Sequence, residues 1–159
     1  MKKLLTLKIM LLTYLAGFHS QAQEVGTGLV YAAEFNQLGI GVNGTFELNE
    51  EFEIAPSFFY YLTAENNFEI NGNVNYHLSQ EGIASVYGIG GLNFTTFQTI
   101  EDNEETRSTE IGLNIGIGST FDLNSDIIPF AEAKYVLGNA DQLSLFLGVR
   151  ISLSNLKQQ

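Results

Sequence analysis

The stretch IGLNIGIGSTFDLN, residues 111–124, alternates apolar residues with small or polar ones, and this pattern constrains the fold more than any other feature of the chain. Every second residue from Ile111 to Leu123 is apolar except Ser119, and the intervening residues are Gly, Asn, Thr and Asp. A period of two indicates a β-strand with one apolar face and one small polar face. The apolar face points inward in a soluble sandwich or barrel, and outward in a membrane barrel.

The same alternation recurs through the rest of the chain after Ala22, where no segment carries a helical apolar period over three turns. Mostly short polar segments separate the alternating runs, so that consecutive strands must be antiparallel neighbours. One connection, residues 99–106, is longer. The predicted strands cover residues 25–35, 37–48, 52–63, 67–78, 83–98, 107–122, 127–137 and 142–153. The pattern therefore predicts an all-β, eight-stranded antiparallel up-and-down barrel.

The N-terminus has the pattern of a signal peptide. Lys2, Lys3 and Lys8 precede or flank an apolar run of ten residues, 9–18, which is too short to span a bilayer. Small residues in SQA, at positions 20–22, predict cleavage after Ala22. We therefore assign residues 1–22 to the signal peptide and residues 23–159 to one exported domain.

The polar face of the predicted strands indicates which side meets lipid. It carries mainly Gly and Asn, whereas strands that face water usually carry Lys, Glu, Arg and Thr. Glycine weakens a strand unless crowding requires it, and the inside of an eight-stranded barrel is crowded. The apolar face is therefore predicted to point outward into a membrane, although the phase of strand 5 (83–98) stays open.

Aromatic residues support the outward assignment because they collect near both ends of the predicted strands, as in the girdles of a membrane barrel. One band comprises Phe46, Phe52, Tyr76 and Phe121, and the other comprises Phe35, Tyr60, Phe68 and Phe94.

The composition excludes several classes of protein. The sequence has no cysteine, which rules out a disulfide scaffold and a cysteine metal site. After Ala22 it has 18 acidic residues and only four basic ones, so nucleic acid is not an expected partner.

The strands VYGIGG (86–91) and LSLFLGVRISL (143–153), with the IAP and IIP strand starts, resemble small eight-stranded outer-membrane barrels of the OmpA-transmembrane and OmpX type, as found in Bacteroidota. The resemblance covers the signal segment and residues 25–153. It implies a monomeric integral protein of the Gram-negative cell outer membrane, with outer-membrane lipid and the barrel-assembly machinery as partners. Such chains commonly end on an aromatic residue that the insertion machinery reads, whereas this one ends LSNLKQQ.

The strand phases place several charged side chains inside the barrel. We expect a structural or gating charge network there, with Glu132, Lys134 and Arg150 at its centre, because buried charges must be paired or neutralised. Glu47, Glu53 and Asp122 are expected at one rim. The predicted network comprises Glu34, Glu53, Glu69, Glu110, Glu132, Lys134 and Arg150.

The longer connection is acidic and is either a solvated surface loop or an exposed interaction site for a divalent cation or a basic partner. Its carboxylates are Glu101, Asp102, Glu104 and Glu105.

No catalytic, cofactor or metal site is expected, because His77 and Ser79 are poorly placed for a lipid substrate and no metal-ligand spacing is present. The predicted function is a structural or surface-interaction role, in membrane integrity, adhesion or binding, with a lumen filled by polar side chains. A porin-like small pore or transporter for small solutes is the alternative. A soluble secreted barrel for a small apolar ligand is a second one, but it requires large apolar side chains where Gly and Asn occur.

Overall fold

The computed structural model describes residues 23–63, 67–101, 104–139 and 141–153. The predicted signal peptide, residues 1–22, lies outside them. Within the described residues, no helix is long and apolar enough to cross a membrane. Eight strands instead form one closed antiparallel barrel, in which each strand pairs with its neighbours in sequence and β1 pairs with β8. The predicted architecture is confirmed.

Each predicted strand has a counterpart in the structure. The strands are β1 Gln23–Ala32, β2 Gln37–Glu47, β3 Phe52–Tyr61, β4 Phe68–Glu81, β5 Ala84–Glu101, β6 Glu104–Phe121, β7 Ile127–Gly138 and β8 Gln142–Ser152. The connections β2–β3, β4–β5 and β6–β7 lie at the same end as the start of β1 and the close of β8. We call this the terminal end, and the opposite end the ribbon end.

The ribbon end is named for β5 and β6, which are 18 residues each and project beyond their neighbours. Beyond the pairs Phe68–Thr96 and Gly112–Gly138, the register of β5 and β6 joins these two strands to each other. The prediction of a loop over residues 99–106 is therefore wrong. Pairing continues to Glu101 and Glu104, in a segment that includes Thr99, Thr106 and Thr109, and threonine favours extended strands.

The apolar faces of the strands point out of the barrel, as predicted. On β6, Leu113, Ile115 and Ile117 are more than half exposed, whereas Asn114 is buried in the lumen. Strand 5, whose phase the sequence left open, turns Leu92 and Phe94 outward. A surface of this kind suits lipid and not water.

Aromatic side chains form the two expected bands on the outer surface, with Phe52 packed on Tyr76 near the terminal end and Phe58 on Phe68 near the ribbon end. Phe35 is a correction. It belongs to the β1–β2 connection, and its half-buried ring packs edge-to-face on Phe97 with 5.0 Å between centroids. It therefore covers the ribbon end of the lumen and does not belong to the girdle.

Crowding inside the barrel explains the inward glycines. A Cβ atom at Gly118 would lie 2.4 Å from the Tyr87 ring, and one at Gly41 would lie 2.7 Å from both Phe59 and Phe146. Real Cβ atoms do not approach that closely, so these positions are restricted to glycine while the rings remain. The small polar face of the sequence is thus the packed interior of a narrow barrel.

Candidate functional site in the barrel lumen

The lumen has two sides of different chemistry. The wall formed by β4, β5 and β6 supplies buried asparagine and threonine side chains, whereas rings from β3, β7 and β8 fill the opposite side. The buried polar residues of the first side are Asn71, Asn73, Asn75, Asn93, Thr95 and Asn114. The side of β3, β7 and β8 also carries buried polar groups, Lys134, Gln142 and Arg150 among them, so the predicted polar lumen is present but has aromatic rings on one side.

The asparagine side is a connected hydrogen-bond network. Asn114 donates through Nδ2 to the side-chain oxygens of Asn71, at 2.8 Å, and Asn73, at 2.7 Å. Asn93 donates to the same oxygen of Asn71 at 2.9 Å, and Thr95 donates to Asn93 at 2.7 Å. Because buried amides are costly without partners, this network holds three neighbouring strands in one register.

Glu69 and Lys134 form a buried ion pair nearer the ribbon end. The Lys134 Nζ lies 2.7 Å from one carboxylate oxygen of Glu69, and Tyr61 and Gln142 each donate to the other oxygen at 2.8 Å. Neither charged side chain is more than 3% exposed. The pair is therefore dry, and its carboxylate is hydrogen-bonded on both oxygens.

Arg150 forms a second buried cluster nearer the terminal end. Its Nη2 donates to Glu132 at 2.7 Å and to the Tyr87 hydroxyl at 3.0 Å, and Tyr87 in turn donates to Glu132 at 2.8 Å. The Nη1 atom lies 3.9 Å from Glu53 and 4.0 Å from Glu24, which is ion-pair range without a hydrogen bond. One guanidinium thus serves three carboxylates.

The structure places Glu53, Glu69, Glu132, Lys134 and Arg150 in the lumen, but it divides them into the two clusters just described. The predicted network has Glu132, Lys134 and Arg150 together at its centre because β7 and β8 are adjacent. Lys134 and Glu132 are two residues apart on β7, yet they bind partners from different strands. The stagger of strands around the barrel, which sequence does not show, separates them.

Two predicted members of the network lie elsewhere. Glu34 is an exposed residue of the β1–β2 connection, and its carboxylate accepts the backbone N–H of Leu143. Glu110 lies at the ribbon-end rim, where Ser108 and Asn139 donate to it at 3.0 Å each. The prediction for Glu34 is wrong because β1 ends at Ala32, before this residue.

The predicted interaction site falls mostly outside the described part of the chain. Asp102 is not described, and for Glu101, Glu104 and Glu105 the structure describes the backbone but not the side chains. These three backbones belong to the ribbon formed by β5 and β6.

A cavity of about 450 Å³ opens at the terminal end. Its lining includes His77, which lies 3.6 Å from Glu53, and Arg150 from the second cluster. The carboxylates that line it are Glu24, Glu47, Glu50, Glu53 and Asp122. In the described part of the chain, no group of three or more acidic, histidine or cysteine side chains could hold a metal ion.

Three phenylalanines fill the side of the lumen opposite the asparagines. The sequence analysis does not predict a common role for them. The Phe146 ring lies between Phe59 and Phe130, with centroid distances of 4.7 Å and 4.9 Å. Lys134 lies over the Phe59 ring and Arg150 over the Phe130 ring, each at 4.7 Å. The inward phase of β8 predicts Phe146 inside, but only the closed barrel shows that the rings meet.

Solved structures with a similar fold are membrane barrels. The N-terminal β-barrel domain of Pseudomonas aeruginosa OprF superposes with a TM-score of 0.73 at 18% identity, covering 84% of this chain and 98% of that one. Neisserial surface protein A gives a TM-score of 0.60 at 12% identity, with coverages of 84% and 96%. The chain has the fold of the eight-stranded outer-membrane β-barrels.

Two further structures with this fold are named for different roles, one in attachment and invasion and one as an enzyme. Ail, the attachment invasion locus protein of Yersinia pestis, gives a TM-score of 0.57 at 12% identity, with coverages of 82% and 95%. The outer membrane enzyme PagL gives 0.51 at 9% identity, with coverages of 81% and 97%. No family model and no curated relative matches the sequence.

Proposed function

We propose that the protein is an integral outer-membrane barrel with a filled lumen, which acts structurally or through its exposed surface. The observation that carries this proposal is the packing of the lumen. The rings of Phe59, Phe130 and Phe146 are at most 3% exposed, and the ion-pair residues Glu69 and Lys134 are equally buried. A solute-sized path does not fit beside such packing in an eight-stranded barrel.

The ribbon end is proposed to face the outside of the cell. Membrane barrels of this class have short turns at the periplasmic end and longer elements outside, and β5 and β6 project only at the ribbon end.

The projecting ribbon supports a role in surface interaction. On its β6 strand, residues 106–109 are exposed. The sequence at its tip contributes four carboxylates, Glu101, Asp102, Glu104 and Glu105, so we propose a divalent cation or a basic partner as its ligand. Calorimetry of the refolded barrel with calcium tests the cation, and absence of heat at millimolar calcium contradicts it.

A catalytic role is not proposed, although PagL shows that an enzyme can have this fold. His77 faces Glu53 across 3.6 Å inside the terminal-end cavity, away from the outward apolar face where a lipid substrate would lie.

Refolding residues 23–159 into lipid vesicles tests the membrane assignment and the filled lumen. Insertion is read from heat-modifiable mobility on a gel, and pore activity from single-channel currents in planar bilayers. Insertion without steady current is expected. A folded protein that stays in water would contradict the membrane assignment, and steady current would favour the alternative of a small pore, for which the acidic terminal-end cavity is the supporting observation.

A matched pair of variants controls the insertion assay. Ile115 and Thr109 lie on the same face of β6, but Ile115 belongs to the apolar belt and Thr109 to the projecting ribbon. An arginine at the belt position costs about 2–4 kcal/mol near the middle of a bilayer, whereas one in water costs little. Ile115→Arg should therefore impair insertion, and Thr109→Arg should insert like the parent.

A further inference from the structure

One wall of the lumen is almost bare backbone. From the terminal end, the inward-facing residues of β1 are Glu24, Gly26, Gly28, Val30 and Ala32. Beyond Glu24 at the rim, none of these inward-facing side chains is larger than valine. On β2 and β8, Gly41 and Gly148 lie directly beside Gly28 in the register. This glycine row crosses three adjacent strands.

The three rings cover that wall. Phe59 is paired with Gly41 and Phe130 with Gly148, so the glycine row ends on a ring at both sides. Phe146 bridges them, and its ring occupies the space where a Cβ of Gly41 would lie. The rings come from β3, β7 and β8 and reach across to β1 and β2. They therefore provide the bulk that the wall itself lacks.

We propose that Phe59, Phe130 and Phe146 are the seal of a latent cation path along the β1–β2 wall, and that Phe146 is the central ring of this seal. This inference goes beyond the proposed function, which requires only that the lumen is filled. It assigns closure to an aromatic seal and not to the ion pairs. The path would start in the terminal-end cavity, which Glu24 and Arg150 line at the foot of this wall.

The charges beside the seal determine which ions would pass. Lys134 lies over the Phe59 ring and Arg150 over the Phe130 ring. Each of these two cations is paired with a carboxylate. Two further lumen carboxylates, Glu24 and Glu53, lie near Arg150 without a hydrogen bond to it. Carboxylates thus outnumber cations along the path, and acidic linings select cations.

Planar-bilayer recordings of Phe146→Ala test the proposal. The variant should carry a steady current where the wild type carries none, with a reversal potential of the sign that cation selectivity requires in a salt gradient. Phe94→Ala is the matched control, because it removes a ring from the lipid-facing side of β5 and should behave like the wild type. Both variants are first checked for insertion by heat-modifiable mobility.

If Phe146→Ala does not fold, Phe59→Ala removes the neighbouring ring and carries the same expectation. Folded ring-truncated variants that stay silent would overturn the proposal, as would an anion-selective current. The wild-type recording tests the proposed function separately. A wild type that conducts, with a larger current after Phe146→Ala, would contradict the filled lumen but support the seal.

Discussion

The ammonium of Lys134 lies 2.7 Å from the carboxylate of Glu69 inside the barrel, although the two residues are 65 positions apart in the sequence. Tyr61 and Gln142 hydrogen-bond to the same carboxylate, and almost no water reaches it. Each charge is therefore compensated inside the barrel and has no access to an alternative partner in solvent. Removal of either member of such a buried pair strongly destabilises the folded protein.

Lys134→Met should destabilise the barrel by about 3–5 kcal/mol, because it leaves the Glu69 carboxylate buried without a counter-charge. The double variant Lys134→Met with Glu69→Gln should recover much of the loss, since the amide oxygen still accepts from Tyr61. Urea unfolding in lipid vesicles, followed by heat-modifiable mobility, measures both. Equal stability of the single and double variants would show that the buried charge is not what costs stability.

Neighbouring phenylalanines on β3 test which side of the barrel is packed. Phe59 is 1% exposed, whereas Phe58 is 42% exposed and faces outward. Phe59→Ala should cost about 3–5 kcal/mol, as in other tightly packed interiors. Phe58→Ala should cost less than half as much in the same unfolding assay, because lipid refills the space. The reverse order would contradict the inside-out arrangement.

Two glycines on the β5–β6 hairpin distinguish crowding from free space. A Cβ at Gly118 would lie 2.4 Å from the Tyr87 ring, whereas one at Gly90 meets nothing within 4 Å. Gly118→Ala should therefore destabilise the barrel by about 1–3 kcal/mol through overpacking. Gly90→Ala should be neutral or stabilising by a few tenths to about 1 kcal/mol, because it reduces the freedom of the unfolded chain. Comparable losses for both substitutions would contradict this explanation of the inward glycines.

The asparagine network depends on Asn114, whose amide donates to both Asn71 and Asn73. Asn114→Leu has a similar size but no donor, and it should cost about 1–3 kcal/mol because buried acceptors lose their partner. Asn139→Ala is the control. Its amide bonds to Glu110 at the exposed ribbon end, so its loss should stay within about 0.5 kcal/mol. Thermal unfolding in detergent micelles compares the two, and similar shifts would show that burial of the network adds no stability.

Local patterns explain why the strands and most of their phases were predictable. Residues 111–123 carry a period of two that only Ser119 interrupts, and their small polar partners fit the inside of a narrow barrel and not a water-facing surface. Strand 5 was ambiguous because glycines occur on both of its faces, at Gly88, Gly90 and Gly91. In the structure, Tyr87 and Asn93 point inward and Leu92 outward, which fixes the phase through packing with β4 and β6.

The sequence by itself therefore determined the number of strands, their antiparallel order, the outward apolar face and the presence of charge in the lumen. All of these follow from residue spacing and side-chain chemistry along one strand. The tertiary structure alone decided that Lys134 pairs with Glu69 and Arg150 with Glu132, that Glu34 lies outside the lumen, and that three rings meet over the glycine row. The reason is geometric: partners across a barrel depend on its closure and on the stagger of its strands, and these are properties of all eight strands together.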